Sequence, residues 1–282
     1  MAETVVLGGN LYPKYMRDFS EIKCEFPNFA PPDRILARML SWFIAAGGVA
    51  GAVTAGYHTM APHSQLYGRT FTRGARGDRE LALTFDDGPN DPYTLDLLEV
   101  LAKHAVKATF FMIGRYVRQH PEIASAVARA GHVVGNHTFT HPNLIFRNRS
   151  QVRAEITSCE QVLEDALGNA HVPLFRPPWG ARTPFVLQTA RMMGMTPVMW
   201  TVTGYDWSAG SAADIAREVG RQILGGDVIL LHDGGHKHMG VDRSFTVQAV
   251  DNLLRRYKAE GYQFRTIPEM MRSQAVSRPT TV

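Results

Sequence analysis

Two adjacent carboxylates, Asp86 and Asp87, end an apolar run that begins at Leu81 and are followed by a Gly-Pro turn. Like charges side by side at the end of a buried strand repel each other and lose solvation unless a cation binds between them. Downstream, His137 and His141 are four residues apart, and on a helical turn this spacing puts both imidazoles on one side, as for two metal ligands. One carboxylate and two histidines would form a metal site with open positions, and the other carboxylate would remain as a base. The pattern predicts a metal-dependent hydrolase.

Short apolar runs alternate with amphipathic helical patterns from Glu80 onward, as is typical of repeated β-α units. The predicted strands span residues 81–85, 108–112, 133–135, 174–176, 197–203, 227–231 and 263–267. The predicted helices span residues 92–104, 119–130, 150–167, 184–193, 212–224 and 245–260. Seven strands with six intervening helices indicate an α/β fold, a barrel of (β/α) units that is not fully closed.

In barrels of this kind the chemistry gathers at the carboxyl ends of the strands. Ionisable residues follow five of the predicted strands in this chain. In chain order they are Asp86 and Asp87, His137 and His141, Arg176, Asp206, and His232. Because these strand ends share one rim, we predict that the residues form a single active site.

Five short motifs occur in order: TFDDGP at 84–89, HTFTH at 137–141, RPPWG at 176–180, DW at 206–207 and LLH at 230–232. Together they resemble the five ordered motifs of the polysaccharide deacetylase family, the NodB-homology domain of carbohydrate esterase family 4. The resemblance covers residues 81–271, nearly everything after a Gly/Pro-containing linker. It implies a distorted (β/α)7 barrel that removes acetyl groups from glycans with the help of a metal ion.

Carried over motif by motif, the resemblance implies that Asp87, His137 and His141 bind a divalent metal ion. Zn²⁺ is the ion we expect, and Co²⁺ or another first-row ion is an alternative because such ligands bind several of them. Asp86 would act as the general base, and Arg176 would hold its carboxylate in place.

The same resemblance makes His232 the general acid and Asp206 the residue that orients it. The residues that would contact the substrate are Trp179, through its backbone N–H, and Trp207 and Leu230, which would wall the acetyl pocket. One position departs from the family pattern: many members have a second Asp three residues before Asp206, where this chain has Thr203. That change could loosen the support around the acid, but it removes none of the chemical roles.

The predicted function is metal-dependent hydrolysis of N-acetyl groups in a polysaccharide or oligosaccharide that contains N-acetylglucosamine, such as a cell-wall glycan. An O-acetyl esterase or a cyclic amide hydrolase with the same metal site is an alternative. A non-catalytic glycan-binding pseudoenzyme is less favoured, because all the proposed metal ligands and the base are present. No Ser or Cys nucleophile motif is visible.

Composition limits the partners. The net charge is +4, and Lys and Arg are scattered among Asp and Glu without a basic block, so we expect no nucleic-acid partner. We infer no obligate protein partner either. The two cysteines, Cys24 and Cys159, do not suggest a disulfide framework and leave the compartment open.

The stretch from residue 39 to residue 57 has no charged residue and is long enough to span a bilayer, and Arg34 and Arg38 precede it. We therefore predict a membrane-anchored protein with its catalytic domain outside the cytoplasm. A cleaved signal peptide, which would make the protein secreted, and a buried helix are the alternatives. The predicted segments are a tail (1–34), a transmembrane signal anchor (35–60), a linker (61–79), the deacetylase domain (80–273) and a C-terminal tail (274–282).

Overall fold

The computed structural model describes residues 34–277, with side chains described from residue 41 to residue 275. The described residues form one parallel sheet of eight strands. The strands are β1 (Glu80–Gly88), β2 (Thr109–Met112), β3 (Val133–Asn136), β4 (Leu174–Phe175), β5 (Thr196–Pro197), β6 (Val202–Thr203), β7 (Asp227–His232) and β8 (Gln263–Phe264). Their order is β5-β4-β3-β2-β1-β7-β6, and β8 pairs with the start of β1.

Helices connect the strands. They are α1 (Arg34–Met60), α2 (Tyr93–Lys103), α3 (Gly114–Gln119), α4 (Pro121–Arg129), α5 (Arg149–Ala166), α6 (Pro184–Met192), α7 (Ala212–Gln222), α8 (Ser244–Ala259) and α9 (Ile267–Ser277). Short 3-10 turns lie at Leu144–Phe146 and Pro178–Gly180. The chain divides into two compact units after Gly51, within α1.

The prediction of a parallel α/β barrel-like fold is confirmed, and each predicted strand and helix has a counterpart. The predicted strand 197–203 is two strands, because β5 pairs with β4 at one edge of the sheet and β6 pairs with β7 at the other. The intervening residues, 198–201, cross the gap between these edges. Among the described strands, the edges β5 and β6 do not pair with each other, so the barrel is open there.

Two other predicted elements begin or end elsewhere for identifiable reasons. The helix predicted over 119–130 begins at Pro121, as α4, since Pro121 has no N–H to continue the preceding helix α3, which was not predicted. The strand predicted over 263–267 ends at Phe264. The Glu269 carboxylate accepts a hydrogen bond from the Thr266 backbone N–H at 2.8 Å, which caps α9 and starts the helix at Ile267.

Residues 71–74, which lie in the segment expected to be a linker, complete the open edge of the sheet. Phe71 forms a parallel bridge with Val198, just after β5. Arg73 forms an antiparallel bridge with Asp227 at the start of β7, and their side chains form an ion pair at 3.4 Å. This segment therefore contacts both sides of the gap.

Strand β1 is buried from Leu81 to Gly88, as expected for a parallel strand that is covered on both faces. The β1 side chains that pack with those of α2 and α8 are Leu81, Leu83 and Phe85. Since successive side chains alternate between faces, Ala82, Thr84 and Asp86 share the opposite face, where Ala82 joins a smaller apolar cluster. Alternation thus points Asp86 away from the main core.

Among the residues that the structure describes, no helix has both the length and the apolar character that a membrane span needs. The transmembrane signal anchor predicted for residues 35–60 coincides with α1, and this finding does not support it as a membrane span. The predicted tail at 1–34 lies outside the described residues apart from Arg34, as do residues 278–282. Residues 274–277 belong to α9 rather than to a tail.

We predict that Gly135→Ala destabilises the protein by about 1–3 kcal/mol, the range for overpacking a core. A Cβ at Gly135 would lie 2.5 Å from Cδ1 of Phe111, a fully buried ring of β2. The free energy of unfolding in urea measures the effect. Gly210→Ala is the control, since its nearest neighbour would be an Asp214 oxygen at 3.7 Å. Equal stability of the two variants would contradict the prediction.

Candidate metal and catalytic site

A cavity of about 590 Å³ opens at the carboxyl ends of the strands. Eight of the ten residues predicted from sequence line it: Asp86, Asp87, His137, His141, Trp179, Trp207, Leu230 and His232. The other two, Arg176 and Asp206, are buried and hydrogen-bonded to lining residues. The structure thus brings all ten residues together. A larger cleft, about 910 Å³, has four arginines in its lining and no histidine or carboxylate.

A bulge in β1 brings both carboxylates to this cavity. In a regular strand, Asp86 and Asp87 would point to opposite faces. The pairing of β1 with β2 shifts register between Asp86 and Gly88, and Asp87 adopts a left-handed backbone conformation with φ of 74°. Aspartate is one of the few residues that tolerates this conformation. The bulge re-aims Asp87 without removing Asp86 from the same side.

One cluster of side chains has the spacing of a metal site. Its members are Asp87, His137 and His141, and together they are called the metal group. The Asp87 Oδ1 atom lies 3.2 Å from His141 Nε2 and 3.6 Å from His137 Nε2. Ligands about 2.0–2.2 Å from a tetrahedral ion lie about 3.3–3.6 Å from one another. Asp87 Oδ1 is buried and accepts no hydrogen bond, so a cation would satisfy it. The donor set therefore fits a divalent ion such as Zn²⁺.

Both histidines are prepared to act as neutral ligands. His137 Nδ1 lies 2.7 Å from the Arg176 carbonyl oxygen, which can only accept, so Nδ1 carries the hydrogen and Nε2 keeps a free lone pair. Burial lowers the pKa of His141 well below its ordinary range, and the neighbouring histidines lower it further. The His141 imidazole is therefore neutral, as a metal ligand must be.

The turn that carries these histidines is not helical. The prediction that His137 and His141 share one side of a helical turn is therefore wrong. Thr138 and His141 have left-handed backbone conformations, with φ of 67° and 59°. The Asn136 side-chain oxygen accepts from the Thr138 N–H at 2.9 Å, and the Thr138 hydroxyl accepts from the His141 N–H at 3.1 Å. These local bonds bend the chain so that the two imidazoles still meet.

Glu155 on α5 holds the outer side of the same turn. Its carboxylate accepts hydrogen bonds from the backbone N–H groups of Phe139, at 3.0 Å, and Thr140, at 2.8 Å. It also accepts from the Thr140 hydroxyl at 2.6 Å. Sequence analysis missed Glu155 and Asn136, and no motif marks either residue. They position the metal group through the backbone.

Asp86 is held between a cation and the metal group. Its Oδ1 accepts a hydrogen bond from Arg176 Nη1 at 2.7 Å, and its Oδ2 lies 3.7 Å from His137 Nε2. Arg176 is fully buried and also donates to the Thr84 hydroxyl at 2.8 Å. Burial lowers the pKa of Arg176 from its ordinary value, while the charge of Asp86 opposes that shift. One carboxylate oxygen of Asp86 is therefore fixed and the other faces the cavity.

His232 is paired with a buried carboxylate on the other side of the cavity. Its Nδ1 lies 2.8 Å from Asp206 Oδ1, and its backbone N–H donates to Oδ2 of the same residue at 2.8 Å. Burial lowers the pKa of His232, but the charge and hydrogen bond of Asp206, together with the charges of Asp87 and Asp86, outweigh it and raise the pKa to about 9. Burial raises the pKa of Asp206, and His232 lowers it more. Thr246, which sequence analysis missed, donates to Asp206 Oδ2 at 2.9 Å.

Apolar side chains wall the cavity. The Trp179 ring packs edge-on against His141 with 4.4 Å between centroids, and the Trp207 ring packs edge-on against His232 at 5.1 Å. Both tryptophans are about half exposed, whereas Leu230 is buried. Trp179 has a φ of 54°, so its backbone is left-handed at the mouth of the site.

Sequence analysis missed several lining residues. They are Met60, Trp200, Gly235, Lys237, Val241 and Arg243. His236 and His238, in the loop after His232, also line the cavity. No spacing pattern marks the lining residues of this loop, because the loop follows no period.

Comparisons with known proteins identify the family of this chain. A family model described as polysaccharide deacetylase matches residues 73–198. The chain is similar to a chitooligosaccharide deacetylase of Sinorhizobium fredii, with 36% identity over 208 residues, 72% of this chain and 97% of that protein. It is also similar to a peptidoglycan-N-acetylglucosamine deacetylase of Bacillus cereus, with 38% identity over 203 residues, 71% of each protein.

Solved structures show the same likeness. A peptidoglycan N-acetylglucosamine deacetylase aligns with a TM-score of 0.67 and 35% identity, covering 71% of this chain and 92% of that one. A CE4 family pseudoenzyme from Bacillus anthracis aligns with a TM-score of 0.66 and 30% identity, covering 72% of this chain and 69% of that one. The family expected from the five motifs is confirmed.

We predict that Asp206→Asn lowers the pKa of His232 from about 9, since burial is then opposed only by the charges of Asp87 and Asp86. Titration of the His232 ring resonances by NMR measures the change. In the wild type, the folded-state pKa is raised, so the stabilisation from this pair is complete below about pH 6.5 and is lost as the pH rises through about 9.

Asp214→Asn is the matched control, because Asp214 is a partly exposed carboxylate at the start of α7 that bonds to Ser211 and Arg217, away from His232. It should leave the His232 titration unchanged. An unaltered pKa of His232 in Asp206→Asn would contradict our account of the pair.

Proposed function

The chain belongs to the polysaccharide deacetylase family, and from that premise we propose that it hydrolyses N-acetyl groups of a glycan that contains N-acetylglucosamine. One observation carries the proposal: two ion pairs lie beside the metal group, and one presents an anion to the cavity while the other presents a cation. Asp86 is an anion held by Arg176, and His232 is a cation held by Asp206. An amide needs both a base and an acid to be hydrolysed, and this pair supplies them.

Asp86 is the proposed general base. When bound, the divalent ion supplies Lewis acidity, which polarises the amide carbonyl and makes a water easier to deprotonate. Asp86 Oδ1 is occupied by Arg176, so Oδ2, which faces the His137 side of the cavity, is the atom that takes the proton. The ion pair with Arg176 orients the carboxylate for that transfer.

His232 is the proposed general acid. Its Nδ1–H is committed to Asp206, so the other ring nitrogen, Nε2, donates the proton to the leaving amine. Because the pKa of His232 is raised to about 9, the imidazole is protonated near neutral pH. Without this proton the amine would leave as an anion, which is a far poorer leaving group.

Trp179, Trp207 and Leu230 are the proposed substrate contacts. The two half-exposed indole rings flank the metal group and the acid, where they can cover a sugar ring and exclude water. Leu230, a buried residue of the cavity lining, is the proposed wall of the acetyl pocket. Two relatives are named as deacetylases of chitooligosaccharide and of peptidoglycan N-acetylglucosamine. The N-acetylglucosamine unit is common to these two substrates.

A catalytic protein is favoured over a glycan-binding pseudoenzyme, although one similar solved structure is described as a pseudoenzyme. Asp86 and the full group of Asp87, His137 and His141 are present, and each of these side chains lies within 4 Å of another member of the set. A protein that only binds glycans does not require a general acid and a general base in the same cavity.

We further propose that the catalytic domain lies outside the cytoplasm and associates with the membrane through α1. The exposed apolar side chains Trp42, Phe43 and Ile44 support contact of this helix with lipid. Protease treatment of intact cells that express the full chain tests the proposal. Digestion of the catalytic domain would support it, and full protection would contradict it.

We predict that Asp86→Asn lowers acetate release by about 10²- to 10⁴-fold, the usual contribution of a general base. Zn²⁺ binding should persist, because Asp86 is outside the proposed ligand set, whereas Asp87→Asn should lose both binding and activity. The measurement is acetate release by the full chain, stripped of metal and then given Zn²⁺ or Co²⁺, on acetylated chitooligosaccharides and peptidoglycan.

The control is Asp78→Asn, an exposed carboxylate before β1. It should behave as the wild type. Acetate release by Asp86→Asn at the wild-type rate would overturn the assignment of the base. Zn²⁺ binding without acetate release from any acetylated substrate would favour a pseudoenzyme.

A further inference from the structure

The loop between β7 and α8 contains the run His236, Lys237 and His238, which the proposed mechanism does not use. His236 lies against the metal group. Its ring stacks on His141 with 4.9 Å between centroids and 23° between planes, and it meets the edge of Trp179 at 5.4 Å. Only 37% of its side chain is exposed, so the imidazole is part of the cavity wall.

His236 approaches the Asp87 carboxylate at a different oxygen from the other histidines. Its Nδ1 atom is 3.9 Å from Asp87 Oδ2, whereas Asp87 Oδ1 is the oxygen closest to His137 and His141. The two oxygens of Asp87 therefore have separate surroundings. One is directed to the metal group, and the other is directed to His236.

Close packing lets the loop approach Asp87. A Cβ at Gly234 would lie 2.2 Å from the Asp87 carbonyl oxygen, so only glycine allows the backbone to pass there. A Cβ at Gly235 would lie 2.6 Å from the Val241 side chain. These two glycines bring the following residue, His236, close to the carboxylate.

Two residues at the start of α3 hold the loop from the outside. The Arg115 guanidinium donates to the carbonyl oxygen of His236 and, at 3.4 Å, to that of Lys237. The Tyr116 hydroxyl donates to the carbonyl oxygen of Gly235 at 3.0 Å. The backbone around His236 is thus tied to the body of the domain, so the point from which the imidazole extends is fixed near Asp87 while the ring can rotate.

We propose that His236 is a positioning residue for the metal ligand Asp87. A rotation of its imidazole closes the 3.9 Å gap, so that Nδ1–H donates to Asp87 Oδ2 and turns Oδ1 toward the ion. Carboxylates that bind metals are generally oriented by such hydrogen bonds, and removing the partner costs about 10- to 100-fold in metal affinity. The inference rests on the proposed function, since it takes the Asp87 group as the metal site.

The test is the Zn²⁺ affinity of the full chain, measured by competition with a chromogenic chelator. We expect His236→Ala to weaken binding by about 10- to 100-fold. His236→Gln keeps an N–H donor and should restore most of the affinity. The control is His238→Ala, in the same loop, because His238 contacts the carbonyl oxygen of Met239 rather than Asp87.

The visible absorption of the Co²⁺-loaded protein separates positioning from direct ligation. A positioning role leaves the Co²⁺ spectrum of His236→Gln the same as that of the wild type, whereas loss of a ligand would change it. The inference is overturned by unchanged Zn²⁺ affinity in His236→Ala or by an altered Co²⁺ spectrum in His236→Gln. A wild-type protein that binds no Zn²⁺ would instead contradict the proposed function.

Discussion

A guanidinium without access to solvent links the parts of this site. Arg176 stacks on the Phe111 ring at 4.1 Å and donates to Thr84, to Asp86 and to the carbonyl oxygen of Met199 near the open edge of the sheet. Its own carbonyl oxygen fixes the tautomer of His137. A buried cation is costly unless its donors are paired, so these groups must all keep their positions. The proposed base, one proposed metal ligand and the sheet edge therefore depend on one residue.

The proposed mechanism depends on groups of different charge that lie close together. Arg176 forms an ion pair with the Asp86 carboxylate, and Asp206 helps to raise the pKa of His232 so that its imidazole is protonated near neutral pH, while burial keeps His141 neutral. The anion can accept a proton, the cation can donate one, and the neutral imidazole can bind a metal ion. The surroundings of each residue, rather than its type, decide its role. Two aspartates that are adjacent in sequence are for this reason assigned different functions.

Much of the fold and most of the site could be predicted from the chain. The parallel order of the elements followed from alternating apolar runs and helical patterns, and strand ends such as those of Asp86 and His232 had to converge because parallel strands share one rim. Prediction failed where local signals were absent. A largely apolar run at 197–203, interrupted by no turn signal, hid the change from one sheet edge to the other, and the spacing of His137 and His141 suggested a helix that the left-handed residues exclude.

The sequence by itself determined which chemical groups are present, that they follow successive strands and which family the chain joins, because periodicity and motif order are properties of the chain. Only the tertiary structure decided how those groups are held. The Glu155 carboxylate, on α5, accepts hydrogen bonds from the turn between His137 and His141. Residues 71–74 contact both edges of the open sheet, and two glycines allow His236 to lie close to Asp87. Each of these contacts joins residues that are distant in the chain, and no local pattern encodes such a pair.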